Sequence, residues 1–159
     1  MTKSRLSIKF RQILSWIFIG LSVIFLVALF VFKDNLTGYS SKLMQSQADS
    51  LTINSESHRV DSAYNYTKNG LPYQFTFLEF GAKGCSACKR MEGVMEEIKT
   101  AFPNRVNVNF INVRLPENQK IMEYFGVVVI PTQVLLDKDG KEYFRHTGYF
   151  AAEDLKKNF

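Results

Sequence analysis

Cysteine and histidine are both scarce in this sequence of 159 residues, which contains two of each. The cysteines, Cys85 and Cys88, are close together in the chain, whereas a structural disulfide stabilises a fold more when it closes a long loop. A zinc site takes about four ligands, and the histidines, His58 and His146, are scattered. A structural disulfide and a metal centre are therefore both disfavoured, and the cysteine pair is interpreted as a redox-active dithiol.

Charge is missing from residues 13–32, which read ILSWIFIGLSVIFLVALFVF. This is about the length that a helix needs to cross a bilayer of roughly 30 Å. A core helix would carry polar residues on one face. A cleaved signal peptide is the other alternative, but it would be followed by small residues, which LFVFKDNLTG does not offer. The segment predicts an uncleaved transmembrane anchor.

Acidic residues are absent before residue 33, and all fifteen lie after the apolar segment. The basic residues in front of it are Lys3, Arg5, Lys9 and Arg11. The positive-inside rule therefore predicts a single pass through the cytoplasmic membrane, with residues 1–12 inside and the remainder extracytoplasmic, or periplasmic. The formal net charge of +5 is interpreted as a topology signal, and no nucleic-acid partner is indicated.

The rest of the chain separates into a polar part and a part in which predicted strands and helices alternate. Residues 33–69 are rich in Ser, Gln and Asn and predict a polar linker, with a short helix near its end. Residues 70–159 can fold alone. Strands are predicted at 75–80, 106–113, 132–136 and 141–148, and helices at 86–101, 116–126 and 152–158. Two strands linked through a helix should be parallel, and this order predicts an α/β domain.

Cys85 is placed where a buried strand ends and a helix begins. The backbone N–H groups and the dipole at a helix start favour an anion, so the pKa of the Cys85 thiol should lie well below the usual value of about 8.5. Cys88 is one helical turn further along and should face the protein. These positions predict that Cys85 attacks a disulfide and that Cys88 resolves the mixed disulfide.

The CSAC motif, together with Ile130-Pro131-Thr132 and the strand TQVLL behind it, resembles the thioredoxin family over residues 70–159. The resemblance implies a thioredoxin-like fold, with a central mixed sheet, helices on both faces and a redox-active Cys85–Cys88 disulfide. It implies that Ile130, Pro131 and Thr132 form a cis-proline loop that faces the cysteines and binds the extended chain of a substrate. Gly84, before the first cysteine, is assigned to the same substrate-binding surface.

Glu79 matches the position of a buried acid in this family. A carboxyl group inside an apolar strand has a raised pKa, and through a water molecule it could accept the proton of Cys88. The alternative is that Glu79 points into solvent at a strand end.

The sequence also departs from the family. Gly84 replaces a tryptophan, Ser86-Ala87 replace Gly-Pro, Gly93 replaces a helix proline, and the strand FINV lacks a lysine that often lies near the buried acid. These differences leave the dithiol in place, but a reduction potential cannot be carried over.

The likeness is greatest to small membrane-anchored or exported bacterial thioredoxins. It implies electrons from a membrane relay of the CcdA or DsbD type and a place in cytochrome c biogenesis or general redox homeostasis. The favoured function is the reduction of protein disulfides. A disulfide oxidase or isomerase of the same fold and a non-catalytic module that binds a metal or a client stay open as alternatives. We expect a monomer without a cofactor, and we assign neither His58 nor His146 to the site.

Overall fold

A computed structural model describes residues 3–159, without the side chains of residues 3–9, 33 and 34. Met1 and Thr2, at the start of the predicted cytoplasmic segment, lie outside the described residues. The contacts divide the chain into two compact units, one ending at Leu36 and the other comprising Thr37–Phe159.

The first unit is dominated by one helix, α1, at Lys3–Val31. Its segment Phe10–Val31 is long and apolar enough to cross a membrane, and none of that window is buried against protein. The predicted span at 13–32 falls in this helix apart from its last residue. The chain therefore contains an apolar helix that is a candidate membrane span.

The second unit is built from helices around a four-stranded sheet. Helices α2, α3 and α4 span Lys33–Gln47, Ser50–Tyr64 and Tyr66–Asn69, with α2 beginning before the unit boundary. Next come β1 at Phe75–Gly81, α5 at Ser86–Ala101, β2 at Val106–Asn112, a 3-10 turn at Pro116–Asn118 and α6 at Gln119–Phe125. The last elements are β3 at Thr132–Leu136, β4 at Glu142–Thr147, α7 at Ala152–Leu155 and a 3-10 turn at Lys156–Asn158.

The strand order is β2-β1-β3-β4, and the sheet is mixed. Strand β1 is parallel to β2 and antiparallel to β3, which is antiparallel to β4. The predicted parallel pairing holds for β1 and β2 but not for the strand after α6. Helix α6 has only 7 residues, about 10 Å of rise, which is too short to return the chain along a strand of about 23 Å. The chain therefore enters β3 from the same edge of the sheet where β2 ended.

The two faces of the sheet carry separate apolar cores. Leu78 and Phe80 of β1 pack with residues of α3 and α6, and Phe77 packs with residues of α5 and α7. Successive side chains of a strand point to opposite faces, so Glu79 lies on the α5 face with Phe77. The predicted α/β architecture, a mixed sheet with helices on both faces, is confirmed.

Residues 33–69 differ from the predicted polar linker because they are largely helical. Asp49 caps α3 by accepting the Leu51 and Thr52 N–H groups. The buried residues of this helix are spaced four apart and lie along one side of it: Thr52, Glu56 and Val60. This periodicity was available in the sequence, but only Val60 in that row is apolar.

The segment before residue 70 also contributes to the fold of the second unit. Tyr66 is 5% exposed, and its hydroxyl lies 2.5 Å from Thr76 Oγ1 in β1. In α2, the Gln45 side-chain amide donates to the Tyr124 carbonyl at 3.1 Å. The boundary predicted at residue 70 therefore cuts through a packed structure.

Candidate active site

The two cysteines lie at the junction between β1 and α5. Cys85 is the N-cap of α5, and its Sγ accepts a hydrogen bond from the Cys88 N–H at 3.2 Å. The two sulfurs are joined in a disulfide, with the Cα atoms 5.2 Å apart. Helix periodicity explains the pairing, since residues three apart face the same side of a helix.

The cysteines differ in their accessibility. Cys85 is half-buried, whereas Cys88 is 3% exposed and lies against the sheet. Only the Cys85 sulfur is accessible to an attacking group or a client disulfide. This asymmetry is the geometry that an attacking and a resolving cysteine require. The low pKa expected of the Cys85 thiol stays a prediction for the reduced form, because the sulfurs of a disulfide do not titrate.

Gly84 is exposed and has a φ of 86°, in the left-handed region that favours glycine. It lies in the turn in which the Cys85 N–H donates to the Ala82 carbonyl at 3.3 Å. A groove of about 380 Å³ follows this turn and is lined by Ala82, Lys83, Gly84, Cys85, Ser86, Lys89 and Glu92. Gly84 therefore lies at the accessible side of the cysteine pair, and its predicted role in substrate binding stays a prediction.

The loop before β3 reaches the same end of the sheet as Cys85. Strands β1 and β3 are antiparallel and pair Phe80 with Thr132, so the start of β3 lies beside the end of β1. The Ile130–Pro131 peptide bond is cis. Ile130 is half-buried, whereas Pro131 is buried.

Thr132 is 2% exposed, and its hydroxyl donates to the Val129 carbonyl at 2.7 Å. Its side chain therefore shapes the loop, and Ile130 and Val129 are more accessible. Val129 is 47% exposed and was not among the predicted residues.

Glu79 is fully buried, which excludes the alternative that it points into solvent. Its Oε2 accepts a hydrogen bond of 3.0 Å from the side-chain amide of Gln133, the residue opposite it in β3. Burial raises the pKa of Glu79 to about 8, although the Gln133 hydrogen bond acts in the opposite direction. The acid is therefore mostly neutral at pH 7.

Gly81 brings Cys88 close to the strand that carries Glu79. A Cβ at position 81 would lie 3.3 Å from the Cys88 Cβ and 2.8 Å from the ring of Phe110, so the backbone approach requires glycine. Glu79 is two residues before Gly81, about 7 Å along the same strand. Because side chains alternate along a strand, positions 79 and 81 face the same side of the sheet, the side on which Cys88 lies.

Phe110 stands opposite Glu79 in β2, in the strand where the family often has a lysine. Gln133 and Phe110 are the residues around the acid that the sequence reasoning missed. The signal for Gln133 was an amide directly beside the apolar run VLL in the strand TQVLL.

Neither histidine joins the dithiol. His146 stacks on Phe150, with ring centroids 4.4 Å apart, and His58 is exposed on α3. Among the described side chains, no group of three or more from His, Cys, Asp or Glu could hold a metal ion.

Comparisons with known proteins point to one family. The profile of a family described as a thioredoxin-like domain matches residues 60–159. A thioredoxin of Alicyclobacillus acidocaldarius is 34% identical over 79 residues, which cover 50% of this chain and 72% of that protein. The chloroplastic thioredoxin-like protein HCF164 of Arabidopsis thaliana is 27% identical over 104 residues, or 61% of this chain and 40% of that protein.

A solved structure shares the fold. Thioredoxin NaTrxh of Nicotiana alata has a TM-score of 0.51 and 31% identity, covering 64% of this chain and 83% of that one. The family match begins at residue 60, which agrees with the buried Val60 and Tyr66.

Proposed function

The chain belongs to the thioredoxin-like domain family, and on that premise we propose that it is a membrane-anchored thiol–disulfide oxidoreductase that reduces protein disulfides outside the cytoplasm. The observation that carries the proposal is the asymmetry of the pair: an accessible Cys85 at the start of α5 and a buried Cys88 bonded to it. The thioredoxin of A. acidocaldarius supports the same class of chemistry.

The reaction follows from the positions of the two sulfurs. In the reduced protein, the Cys85 thiolate attacks one sulfur of a client disulfide, and the other client sulfur leaves as a thiolate. Cys88 then loses its proton and attacks Cys85 Sγ in the mixed disulfide, which releases the second client sulfur. The client gains two electrons, and the protein is left with the Cys85–Cys88 disulfide that the structure contains.

Glu79 supplies a site for the proton of Cys88. Its carboxylate takes that proton through a bridging water as Cys88 attacks, and its protonated form returns a proton when the disulfide is reduced again. A pKa of about 8 keeps both protonation states accessible near neutral pH. The Val129–Thr132 loop beside Cys85 would pair with the extended chain of the client and orient its disulfide.

Two features favour a reductant over an oxidant. A strongly oxidising pair needs a stabilised thiolate. The buried surroundings beneath this pair disfavour a negative charge, because the acid there, Glu79, is difficult to ionise. The residues between the cysteines, Ser86 and Ala87, include no histidine to stabilise an anion.

The anchor and the basic residues before it support the proposed location. The apolar segment Phe10–Val31 would cross the cytoplasmic membrane, with the basic N-terminal segment inside and the second unit outside. An extracytoplasmic dithiol needs a dedicated supply of electrons. We therefore assign its reduction to a membrane relay of the CcdA or DsbD type.

The reduction potential tests the direction of electron flow. The full chain in detergent micelles would be equilibrated in thiol–disulfide buffers, and the oxidised fraction measured by the mass added by a thiol label. We expect a potential below about −220 mV, towards thioredoxin near −270 mV. A value near −120 mV, as for oxidases, would contradict the reductase and favour the oxidase. The Cys85→Ser, Cys88→Ser double variant is the labelling control.

A further inference from the structure

The hydrogen-bonding groups of Glu79 and Gln133 are incompletely matched. The two residues stand opposite each other in β1 and β3, and both are 0% exposed. One hydrogen bond joins them, from Gln133 Nε2 to Glu79 Oε2 at 3.0 Å. The remaining oxygens, Glu79 Oε1 and Gln133 Oε1, are both buried and have no hydrogen-bond partner in the described part of the chain.

If Glu79 were ionised, both of these oxygens would be acceptors. Two buried acceptors without donors are unfavourable, and a buried carboxylate with a single donor is poorly compensated for its lost hydration. A single proton on Glu79 Oε1 changes this arrangement, because the resulting O–H can donate to Gln133 Oε1. The carboxylic acid and the primary amide then satisfy each other through two parallel hydrogen bonds.

Aromatic residues flank the acid in the sheet. Phe77 flanks it on β1 and Phe110 stands opposite it on β2. Strand register and α5 place two titratable groups towards the acid's end of this face: His146, which pairs with Gln133 in β4, and Cys88. Tyr143 and Arg105 lie on the same face against Phe75, at the start of β1. Among the side chains that the structure describes, no lysine or arginine forms an ion pair or a hydrogen bond with Glu79, and the Gln133 amide is its one hydrogen-bond donor.

We propose that Gln133 is a positioning residue that holds Glu79 as a neutral acid through a reciprocal acid–amide pair. In this pair Gln133 Nε2 donates to Glu79 Oε2, and the protonated Glu79 Oε1 donates to Gln133 Oε1. The pair also fixes the plane of the carboxyl group on the face of the sheet where Cys88 lies. Burial raises the pKa of Glu79, which agrees with the neutral acid that this pair requires.

The pair has a consequence for the dithiol that rests on the proposed function. When a donor thiolate attacks Cys85 Sγ, the Cys85–Cys88 bond breaks and its electron pair goes to Cys88 Sγ. Glu79 gives its proton through a bridging water to that sulfur, and it keeps the Gln133 Nε2 hydrogen bond as a carboxylate. In the opposite direction, the proton of Cys88 returns to Glu79 and the second hydrogen bond of the pair forms again.

Infrared difference spectroscopy of the full chain in detergent micelles tests the pair itself, whatever the reduction potential proves to be. At pH 6.5, the spectrum of the wild type minus that of Glu79→Gln should show the C=O band of a protonated, hydrogen-bonded carboxyl group. The band should disappear with a midpoint near pH 8. Its absence at pH 6.5 would mean an ionised Glu79 and would overturn the proposal.

Replacing the amide gives the second part of the test. Gln133→Met keeps a similar volume but removes the donor and the acceptor, so the C=O band should move to higher frequency. Asn109→Leu is the matched control, because this amide on β2 donates to Asn107 instead, and the band should not move. An unchanged band in Gln133→Met would overturn the proposal. If that variant does not fold, a wild-type band at the frequency of a carboxyl group without hydrogen bonds would overturn it equally.

Discussion

Helix α1 and the second unit use the same apolar residue types in opposite ways. In α1, Trp16 is 73% and Phe18 is 65% exposed, whereas Phe77 and Phe80 of β1 are completely buried. A helix that is apolar on every side has no polar face for water, so it requires an apolar environment outside itself. The second unit buries its apolar residues on the two faces of one sheet, and it also carries the polar groups of the candidate site.

The comparison suggests a division of roles between the two units. The candidate chemical groups, Cys85, Cys88, Glu79 and Gln133, all belong to the second unit, whereas α1 is an apolar helix and a candidate membrane span. If this division is correct, changes in the second unit should alter chemistry or folding, and changes in α1 should alter only location and solubility.

The largest effect is expected from the cysteines. Cys85→Ser should reduce the rate of insulin disulfide reduction to background, because no accessible sulfur is left to attack. Cys88→Ser should instead accumulate mixed disulfides with clients through Cys85, visible as thiol-sensitive adducts on a non-reducing gel. Equal adduct formation by the two variants would contradict the assignment of the attacking and resolving cysteines.

Removing residues 1–69 should have the next largest effect, and on stability. The deletion removes the buried Val60 and Tyr66 and the hydrogen bond between Tyr66 and Thr76. Burial of such side chains contributes about 1.5–3 kcal/mol each, so the free energy of unfolding should fall by on the order of 5 kcal/mol. Urea unfolding followed by circular dichroism would measure it. If residues 70–159 alone prove as stable as residues 37–159, the result would support the polar linker predicted from the sequence.

Glu79→Gln should change how stability depends on pH. Burial raises the pKa of Glu79 from an ordinary value of 4.5 to about 8, so between these values the folded protein binds more protons than the unfolded chain. The stability due to this group is complete below pH 4.5 and is lost as the pH rises towards 8. At about 1.4 kcal/mol per pH unit, the loss is on the order of 5 kcal/mol as an upper figure.

The variant cannot ionise at this position, and it should therefore be more stable than the wild type at pH 9 and similar to it at pH 4.5. Urea midpoints at both pH values measure the difference. A wild-type advantage that grows with pH would show that Glu79 has a lowered pKa, contrary to its burial.

The smallest effect on chemistry is expected from removing residues 1–36. The rate of insulin disulfide reduction and the urea midpoint should stay within experimental error of those of the full chain, because no candidate group lies in the first unit. The product should no longer need detergent. If the shortened protein loses activity while the full chain retains it, the proposed division between the two units is wrong.

Much of the site could be predicted because its signals are local. The turn between an apolar strand and an amphipathic helix places Cys85 at a helix start, and the cysteine spacing places Cys88 on the inner side of that helix. The single acid in FTFLEF was predicted to be buried, and Glu79 is buried. Each of these features depends on residues within about one helical turn or strand of each other.

Other features depend on partners far along the chain. Residues 33–69 are too polar for their composition to predict a packed helix, and α3 is stabilised because Val60 meets a core formed by β1, β2, β3 and α6. The antiparallel direction of β3 depends on the shortness of α6 relative to the sheet. The residues that surround the acid, Phe110 and Gln133, are set by strand register, which one strand alone does not define.

The sequence by itself therefore determined the apolar helix, the dithiol and the order of strands and helices, because hydrophobic periodicity and chain spacing act between near neighbours. Tertiary structure decided the extent of the second unit and the chemical state of Glu79. The ionisation of a buried acid depends on the groups that replace its water, and here Gln133, which donates a hydrogen bond to it, is 54 residues away in the chain.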